Sequence, residues 1–279
     1  MQNHNMSHWD RGWRSLKNVA QENINSLQKM LHSSHWMHIQ RFLEREYGSI
    51  KGLKAIELGC GRGVASAALA TQGAEVTLVD LSEAALSSAK EFFSNNGLGN
   101  PRCILADVLQ LPDDLLTNFD VACSFGLAEH FTGQERIDVF KAHVSTLKSG
   151  GSVVVSVPNR LYLPGQIYKF VSERLGTWPY GFERDFTPRE LLHYGQMAGI
   201  AACKVVGSEV IYDLYSHILL KLPAFLRQIT CQRSCGPVTA QYDESGRYTM
   251  TAQYKKYVLT SPFDSIFGFT LVLLGRRLG

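Results

Sequence analysis

ELGCGRG, Glu57 to Gly63, sets three glycines at alternate positions between an apolar run, Leu53 to Leu58, and a small-residue helical pattern, Val64 to Ala70. A strand, a glycine loop and a helix in that order read as backbone built for close approach to a ligand. Outward from this point the same alternation repeats. The helix through Thr71 stops at Gly73, and EVTLVD gives a second strand finishing on Asp80. Ser82 is a good N-cap for a helix through Ala89 and Phe93, which Asn96-Gly97 closes. RCILAD is a third strand ending at Asp107, and FDVACSF a fourth ending near Phe125. A helix from Glu135 to Leu147, closed by Lys148 to Gly151, precedes a fifth strand, GSVVVSVP, that Pro158 ends. Strands alternating with helices at this spacing predict a parallel sheet covered on both faces, because each parallel connection needs a crossover.

The flanks are less regular. Residues 15–47 predict one or two helices, with apolar positions at Leu27, Met30, Leu31, Trp36, Ile39, Phe42 and Leu43. Residues 160–186 carry aromatic and glycine-rich patches. Thr187-Pro188-Arg189-Glu190 combines a capping box with proline at the first helical position, for a helix running to Gly199. AACKVVGSEVI reads as a sixth strand and IFGFTLVLLG as a seventh. The roughly fifty residues between them are too many for an ordinary hairpin and predict a lid or acceptor-binding insertion.

The chain has 279 residues, 45% hydrophobic and 19% charged, which supports a substantial core in one large domain with insertions or in two small ones. A formal charge of +3 does not provide the concentrated basic footprint of a nucleic-acid binder. The start, MQNHNMSHWDRGW, is too polar for a secretory signal, and IFGFTLVLLG is half the length of a membrane-crossing helix. The cysteines (Cys60, Cys103, Cys123, Cys203, Cys231, Cys235) are scattered without framework spacing. They read as reduced thiols in a cytoplasmic protein.

The glycine spacing departs from the G-x-G-x-x-G of dinucleotide folds, since position 64 is Val. Glu57 would also set an anion beside a pyrophosphate, which is unfavourable, whereas an ammonium or sulfonium gains from it. The acidic residue followed by G-x-G-x-G resembles the signature loop of class I S-adenosylmethionine-dependent methyltransferases. The small-molecule type, similar to enzymes of ubiquinone and menaquinone biosynthesis, fits best. The resemblance covers roughly residues 53–199. It implies a Rossmann-like α/β fold, a seven-stranded sheet with helices on both faces, and S-adenosyl-L-methionine as cofactor. It places Glu57, Gly59, Cys60 and Gly61 in the loop that cradles the cofactor. Asp80, with Leu81, lies at the ribose hydroxyls, Asp107 and Val108 at the adenine, and Ser124 and Phe125 beside the methionine part. It implies an arm over the cofactor site at residues 1–50, a core of 51–210 plus 263–279, and lid or acceptor-binding insertions at 160–186 and 211–262.

Methyl transfer needs the acceptor aligned with the sulfonium and its proton removed, and the sequence calls for no metal. GLAEHF, Gly126 to Phe131, overhangs the expected cleft, and Glu129 and His130 are its only ionisable residues. His130 is the candidate general base, since imidazole titrates near neutrality. The competing reading makes it a helix cap or a cofactor-packing ring. His32, His35 and His38 have no acidic or cysteine neighbour and read as solvated or core-edge histidines rather than a metal site. Cys231 and Cys235 are spaced as mere helical neighbours. Trp9 and Trp13 either close over the cofactor or anchor the arm. Only Tyr47 precedes residue 161 and ten tyrosines follow it, joined by Trp178, Phe182 and Phe186. These rings suit an apolar or aromatic small acceptor, or else form the core of a cap. Ser216 to Ile229 is amphipathic and basic, but Pro223 breaks it, so it reads as pocket lining rather than a membrane anchor. Two other classes remain: an RNA or protein methyltransferase, and a non-catalytic relative that binds cofactor or partner alone.

Overall fold

The computed structural model describes Trp13 and residues 20–208, 241–242, 248–249, 266 and 268–278. Its central sheet has seven strands: β1 (Lys54–Leu58), β2 (Glu75–Asp80), β3 (Arg102–Leu105), β4 (Phe119–Phe125), β5 (Leu147–Pro158), β6 (Ile200–Ser208) and β7 (Thr270–Arg277). They lie in the order 3-2-1-4-5-7-6. The first five pair in parallel, as the alternation requires. β7 enters between β5 and β6 antiparallel to both, outside the strand–helix alternation from which the parallel pairing was expected. An antiparallel neighbour needs no crossover helix. Ser208, where β6 ends, is the register partner of Thr270, where β7 begins, so the long excursion between them leaves and returns at one place.

Seven helices accompany the sheet among the described residues: α1 (Ala20–Leu31), α2 (Ser34–Tyr47), α3 (Val64–Thr71), α4 (Glu83–Asn95), α5 (Gly133–Thr146), α6 (Leu163–Arg174) and α7 (Pro188–Met197). The caps expected from sequence are present. Ser82 Oγ accepts from the Ala85 amide at 3.2 Å, and Thr187 and Glu190 form a complete capping box. Alternate strand residues feed two separate cores. Val154 joins Trp36, Leu43, Leu69 and Phe93 on one face. Val153 and Val155 join Phe140, Phe186 and Leu191 on the other.

Several boundaries move for identifiable reasons. The helix expected over Glu135 to Leu147 runs from Gly133 to Thr146, and β5 begins at Leu147 rather than at Gly151. The ladder steps from Phe119↔Leu147 to Val121↔Ser152, so Lys148 to Gly151 are accommodated in a bulge rather than a free loop. β3 stops at Leu105, leaving Asp107 just beyond it. β7 starts at Thr270 rather than Ile266, because Asn159 Nδ2 donates to the carbonyls of Ile266 and Gly268 at 2.8 and 2.7 Å and holds that approach out of the ladder. The 160–186 segment is not merely irregular: it contains α6. The sixth strand is described to Ser208, and the rest of its expected span, with Trp9, residues 216–229, Cys231 and Cys235, lies outside the described residues. The described part of the insertion includes a two-stranded ribbon, Gln241–Tyr242 against Tyr248–Thr249.

Candidate active site

The carboxyl ends of β1, β2 and β4, and the segment after β3, converge on a cavity of about 570 Å³. The glycine loop forms one wall, with Gly59, Gly61 and Gly63 at φ of 64°, 51° and 67°. A Cβ on Gly59 would lie 2.6 Å from Leu127 Cδ1, and one on Gly61 2.7 Å from the Trp13 ring. Bare backbone is therefore required at both positions, by conformation and by space. Gly63 serves packing instead: a Cβ there would press on Leu78 and Phe93 at 3.2 and 3.3 Å.

Asp80 ends β2 with each carboxylate oxygen on a backbone amide, Oδ2 on Gly61 and Oδ1 on Ser82, both at 2.9 Å. Burial raises its pKa, while these amides pull it back. Glu57, at 2% exposure, accepts from the Ser66 amide at 3.3 Å. Burial lifts its pKa from 4.5 to about 8. Asp107 Oδ1 accepts from the Leu109 amide at 2.9 Å. These three carboxylates line the cavity together with Cys60, Leu81, Val108 and Phe125. Ser124 does not join them: it is fully buried behind the wall, with its hydroxyl lacking a partner. Burial pushes the Cys60 thiol well up, which leaves it inert.

The far end of the same cavity is built by a short 3-10 turn, Ala128–His130, and by the chain after α6. His130 Nδ1 lies 2.9 Å from the Phe182 carbonyl. A carbonyl only accepts, so Nδ1 carries the proton and Nε2 is an acceptor in the neutral ring. Nε2 is 3.9 Å from Glu183 Oε1. Glu129 is buried, and that burial lifts its pKa to about 8, with Glu183 and Asp185 adding to the effect. Lys169 Nζ ties Asp185 at 2.7 Å and Glu183 at 3.4 Å. Burial still holds Glu183 near 7. Arg136 fixes the two chain segments of this corner. Its guanidinium donates to the Phe131 carbonyl at 2.8 Å and to the Arg184 carbonyl, and it stacks 3.9 Å from the centre of Phe186.

Glu129, His130 and Glu183 each offer one ligand atom, all within 4.8 Å of one another, a donor set that suits a divalent cation as well as a proton. Sequence reading assigned no metal and did not find Glu183, Asp185 or Lys169. The one signal was an acidic pair set between Phe182 and Phe186. Of the three arm histidines, His35 is buried and His38 half-buried, whereas the contact of His32 Nδ1 with the Gln28 carbonyl is exposed. His35 and His38 are held near 4 by burial, and the His35 ring packs 5.5 Å from that of Phe125. Of the arm, Trp13 and Met30 line the cavity. Of the later aromatic residues, Tyr162, Trp178, Tyr180 and Phe269 do so, whereas Phe186 is fully buried in the core and Phe182 half exposed.

Residues 55–151 match a methyltransferase domain family. The ubiquinone biosynthesis O-methyltransferase of Stutzerimonas stutzeri is 32% identical over 169 residues, which are 58% of this chain and 70% of that protein. Its namesake from Pseudomonas aeruginosa is 29% identical over 184 residues, 64% and 77% of the two chains. Among solved structures, a SAM-dependent methyltransferase from Archaeoglobus fulgidus superposes with a TM-score of 0.53 at 15% identity, over 86% of this chain and 93% of that one. Magnesium protoporphyrin IX methyltransferase from Synechocystis PCC 6803, with bound SAH, gives 0.53 at 16% identity, over 99% and 95%. These last two likenesses are of fold.

Proposed function

Because this chain belongs to the class I S-adenosylmethionine-dependent methyltransferases, we propose that its cavity is divided between cofactor and acceptor. The glycine loop with Glu57, Asp80 and Asp107 holds S-adenosylmethionine, and the Glu129–His130 end receives a hydroxyl of a small aromatic acceptor. The observation that carries this is the sharing of one cavity by three strand-end carboxylates and an imidazole whose Nδ1 lies 2.9 Å from the Phe182 carbonyl.

The residues fit the cofactor. Asp80 uses one lone pair on each oxygen for a backbone amide and keeps the others for a vicinal diol. Glu57 keeps acceptor capacity beyond its single amide, which suits an ammonium. Asp107 and the Val108 backbone, both on the cavity wall, can offer an acceptor and a donor to an amino-substituted ring. When bound, S-adenosylmethionine supplies a methyl group on a positively charged sulfur.

The chain then has two tasks. The first is alignment, worth on the order of 7 kcal/mol or more when reacting atoms are held in near-attack geometry. Phe125, Trp13, Gly59 and Leu127 line the same cavity, from which a bound cofactor and acceptor would displace water. The second is proton removal. With Nδ1–H anchored on the Phe182 carbonyl, His130 Nε2 can accept the hydroxyl proton, and the neighbouring Glu183 carboxylate stabilises the imidazolium that results. The two curated relatives described above are O-methyltransferases, which supports oxygen as the methylated atom, and the Tyr162, Trp178 and Phe269 walls support an aromatic acceptor. RNA- and protein-directed readings, and a non-catalytic one, gain no support from these relatives. Among the described residues no helix is long and apolar enough to cross a membrane.

The test is calorimetric titration with S-adenosylhomocysteine, followed by turnover of methyl-labelled S-adenosylmethionine on a panel of substituted phenols. Saturable binding and label in an ether product are expected. Absence of cofactor binding rejects the reading.

A further inference from the structure

Two consecutive residues address both nitrogens of the His130 ring. The Phe182 carbonyl lies 2.9 Å from Nδ1, and Glu183 Oε1 lies 3.9 Å from Nε2. Lys169 holds Glu183 in turn at two points: Nζ donates to its backbone carbonyl at 2.9 Å and lies 3.4 Å from Oε2. The same ammonium donates to Asp185 Oδ1 at 2.7 Å, and Gln166 donates to Oδ2 at 2.5 Å. The side chains of Lys169, Glu183 and Asp185 are 12%, 8% and 5% exposed, so the cluster escapes the screening that weakens surface ion pairs. Its helix is also turned against the usual pattern. Gln166 and Lys169 of α6 line the cavity, while Leu163, Ile167, Phe170 and Val171 are exposed. The side of α6 that meets Glu183 and Asp185 is thus its polar one.

We propose that Lys169 is a positioning residue for methyl transfer: it presents the Glu183 carboxylate to His130, where an imidazolium forms when the acceptor hydroxyl loses its proton. The inference rests on the methyltransferase reading above. Before that step Nε2 and Oε1 are two acceptors facing each other. Afterwards Nε2–H is a charged donor, and Lys169 and His130 balance Asp185 and Glu183 charge for charge. The other charged groups around Glu183 are no substitute for the ammonium. Glu173 of α6 adds a further negative charge. Glu129 of the 3-10 turn, lifted to about 8 by burial, is mostly neutral at pH 7. Arg136 of α5 donates to the Phe131 and Arg184 carbonyls, and the exposed Arg184 side chain turns toward Glu190. Burial holds Glu183 near 7, with Lys169 lowering the value and Asp185 raising it. Without Lys169 this carboxyl stays protonated through neutrality and ionises only at higher pH.

The experiment compares Lys169→Met and Lys169→Arg with the parent protein; Lys169→Gln takes the place of the methionine variant if thermal melts show that it does not fold. In protein labelled with carbon-13 at the glutamate carboxyl, nuclear magnetic resonance follows Glu183, identified by its loss in Glu183→Gln. Lys169→Met should move its titration up by at least about one pH unit, and Lys169→Arg by less than about half of one. Turnover is measured with methyl-labelled S-adenosylmethionine on whichever phenol of the panel above reacts fastest. Relative to the parent, Lys169→Met should be slower by about tenfold at pH 7 and by less at pH 9, with acceptor KM and S-adenosylhomocysteine affinity within about threefold. Lys169→Arg should recover most of the rate. In a Glu183→Gln background, Lys169→Met should slow the enzyme by no more than about twofold further. An unmoved Glu183 titration overturns the proposal, and so does a rate deficit that is the same at pH 7 and pH 9. Absence of turnover on every phenol by the parent overturns it together with the acceptor reading. Failure of the parent to bind S-adenosylhomocysteine marks the fall of the cofactor reading itself, and the Glu183 titration still reads the Lys169 contact.

Discussion

The two ends of the cavity are held together in different ways. At the cofactor end each carboxylate leans on an amide in its own loop or an adjacent one: Glu57 on Ser66, Asp80 on Ser82 and Gly61, Asp107 on Leu109. At the acceptor end several ties span about fifty residues, from the loop after β4 and α5 to the chain after α6. The Arg184 amide donates to the Glu129 carbonyl, Arg136 bridges Phe131 and Arg184, and Lys169 reaches Glu183 and Asp185. The first end is a preformed receptor set by strand ends. The second depends on the segment around α6 docking onto the loop after β4.

The strongest way to break this contrast is at Asp80. Asp80→Ala removes the proposed diol acceptor and strips two backbone amides of their partner, so cofactor affinity should fall by at least about 100-fold, which titration with S-adenosylhomocysteine reads directly. Unchanged affinity would remove Asp80 from the site. Next comes His130→Ala. If the two ends are separable, turnover should drop by about 100-fold while cofactor affinity stays within about threefold. Equal rates in mutant and wild type would take His130 out of the chemistry and leave it as a binding or capping ring.

This difference in wiring is also why the strand-end residues, and Glu129 and His130 in the loop after β4, could be picked out from sequence, whereas Glu183, Asp185 and Lys169 could not. Gly59, Asp80 and Asp107 follow apolar strands at fixed offsets, and the sheet edge gathers strand ends without any knowledge of side-chain packing. Ser124 shows where the method fails even there. The last residues of a strand alternate between faces, and the face given to Ser124 turned out to be the core side, with Phe125 on the cavity. Glu183 meets Glu129 only through tertiary docking, for which no local periodicity exists. The antiparallel entry of β7 was hidden for the same reason, because an apolar run does not declare its direction.

Arg136 is the lever that sharpens the comparison further. Arg136→Leu keeps bulk beside Phe186 but loses the donors to Phe131 and Arg184. The expected cost is about 2–3 kcal/mol of stability, seen as a lowered melting temperature. Acceptor KM should rise while S-adenosylhomocysteine affinity holds within about twofold. A parallel loss at both ends would mean that the cavity responds as one unit and that the division is only geometric.

The smallest effect concerns Glu57, and its sign can be worked out. Burial raises its pKa from 4.5 to about 8 in the cofactor-free fold, so at pH 7 most of the population is protonated. An ammonium placed against it favours the carboxylate and lowers that pKa, so cofactor binding expels a proton and affinity climbs as pH rises toward 8. Folding shows the opposite trend. The raised value stabilises the cofactor-free protein fully below about 4.5, and this contribution is lost as pH rises through about 8. Titrations at pH 7 in two buffers of different ionisation enthalpy should therefore report a fraction of a proton, up to about one, released per cofactor bound. Glu57→Gln should abolish that release and flatten the pH dependence between 6 and 8. Proton release that persists in the variant would shift the linkage to another buried carboxylate. Glu129, also raised to about 8, would then be coupled to the cofactor end after all.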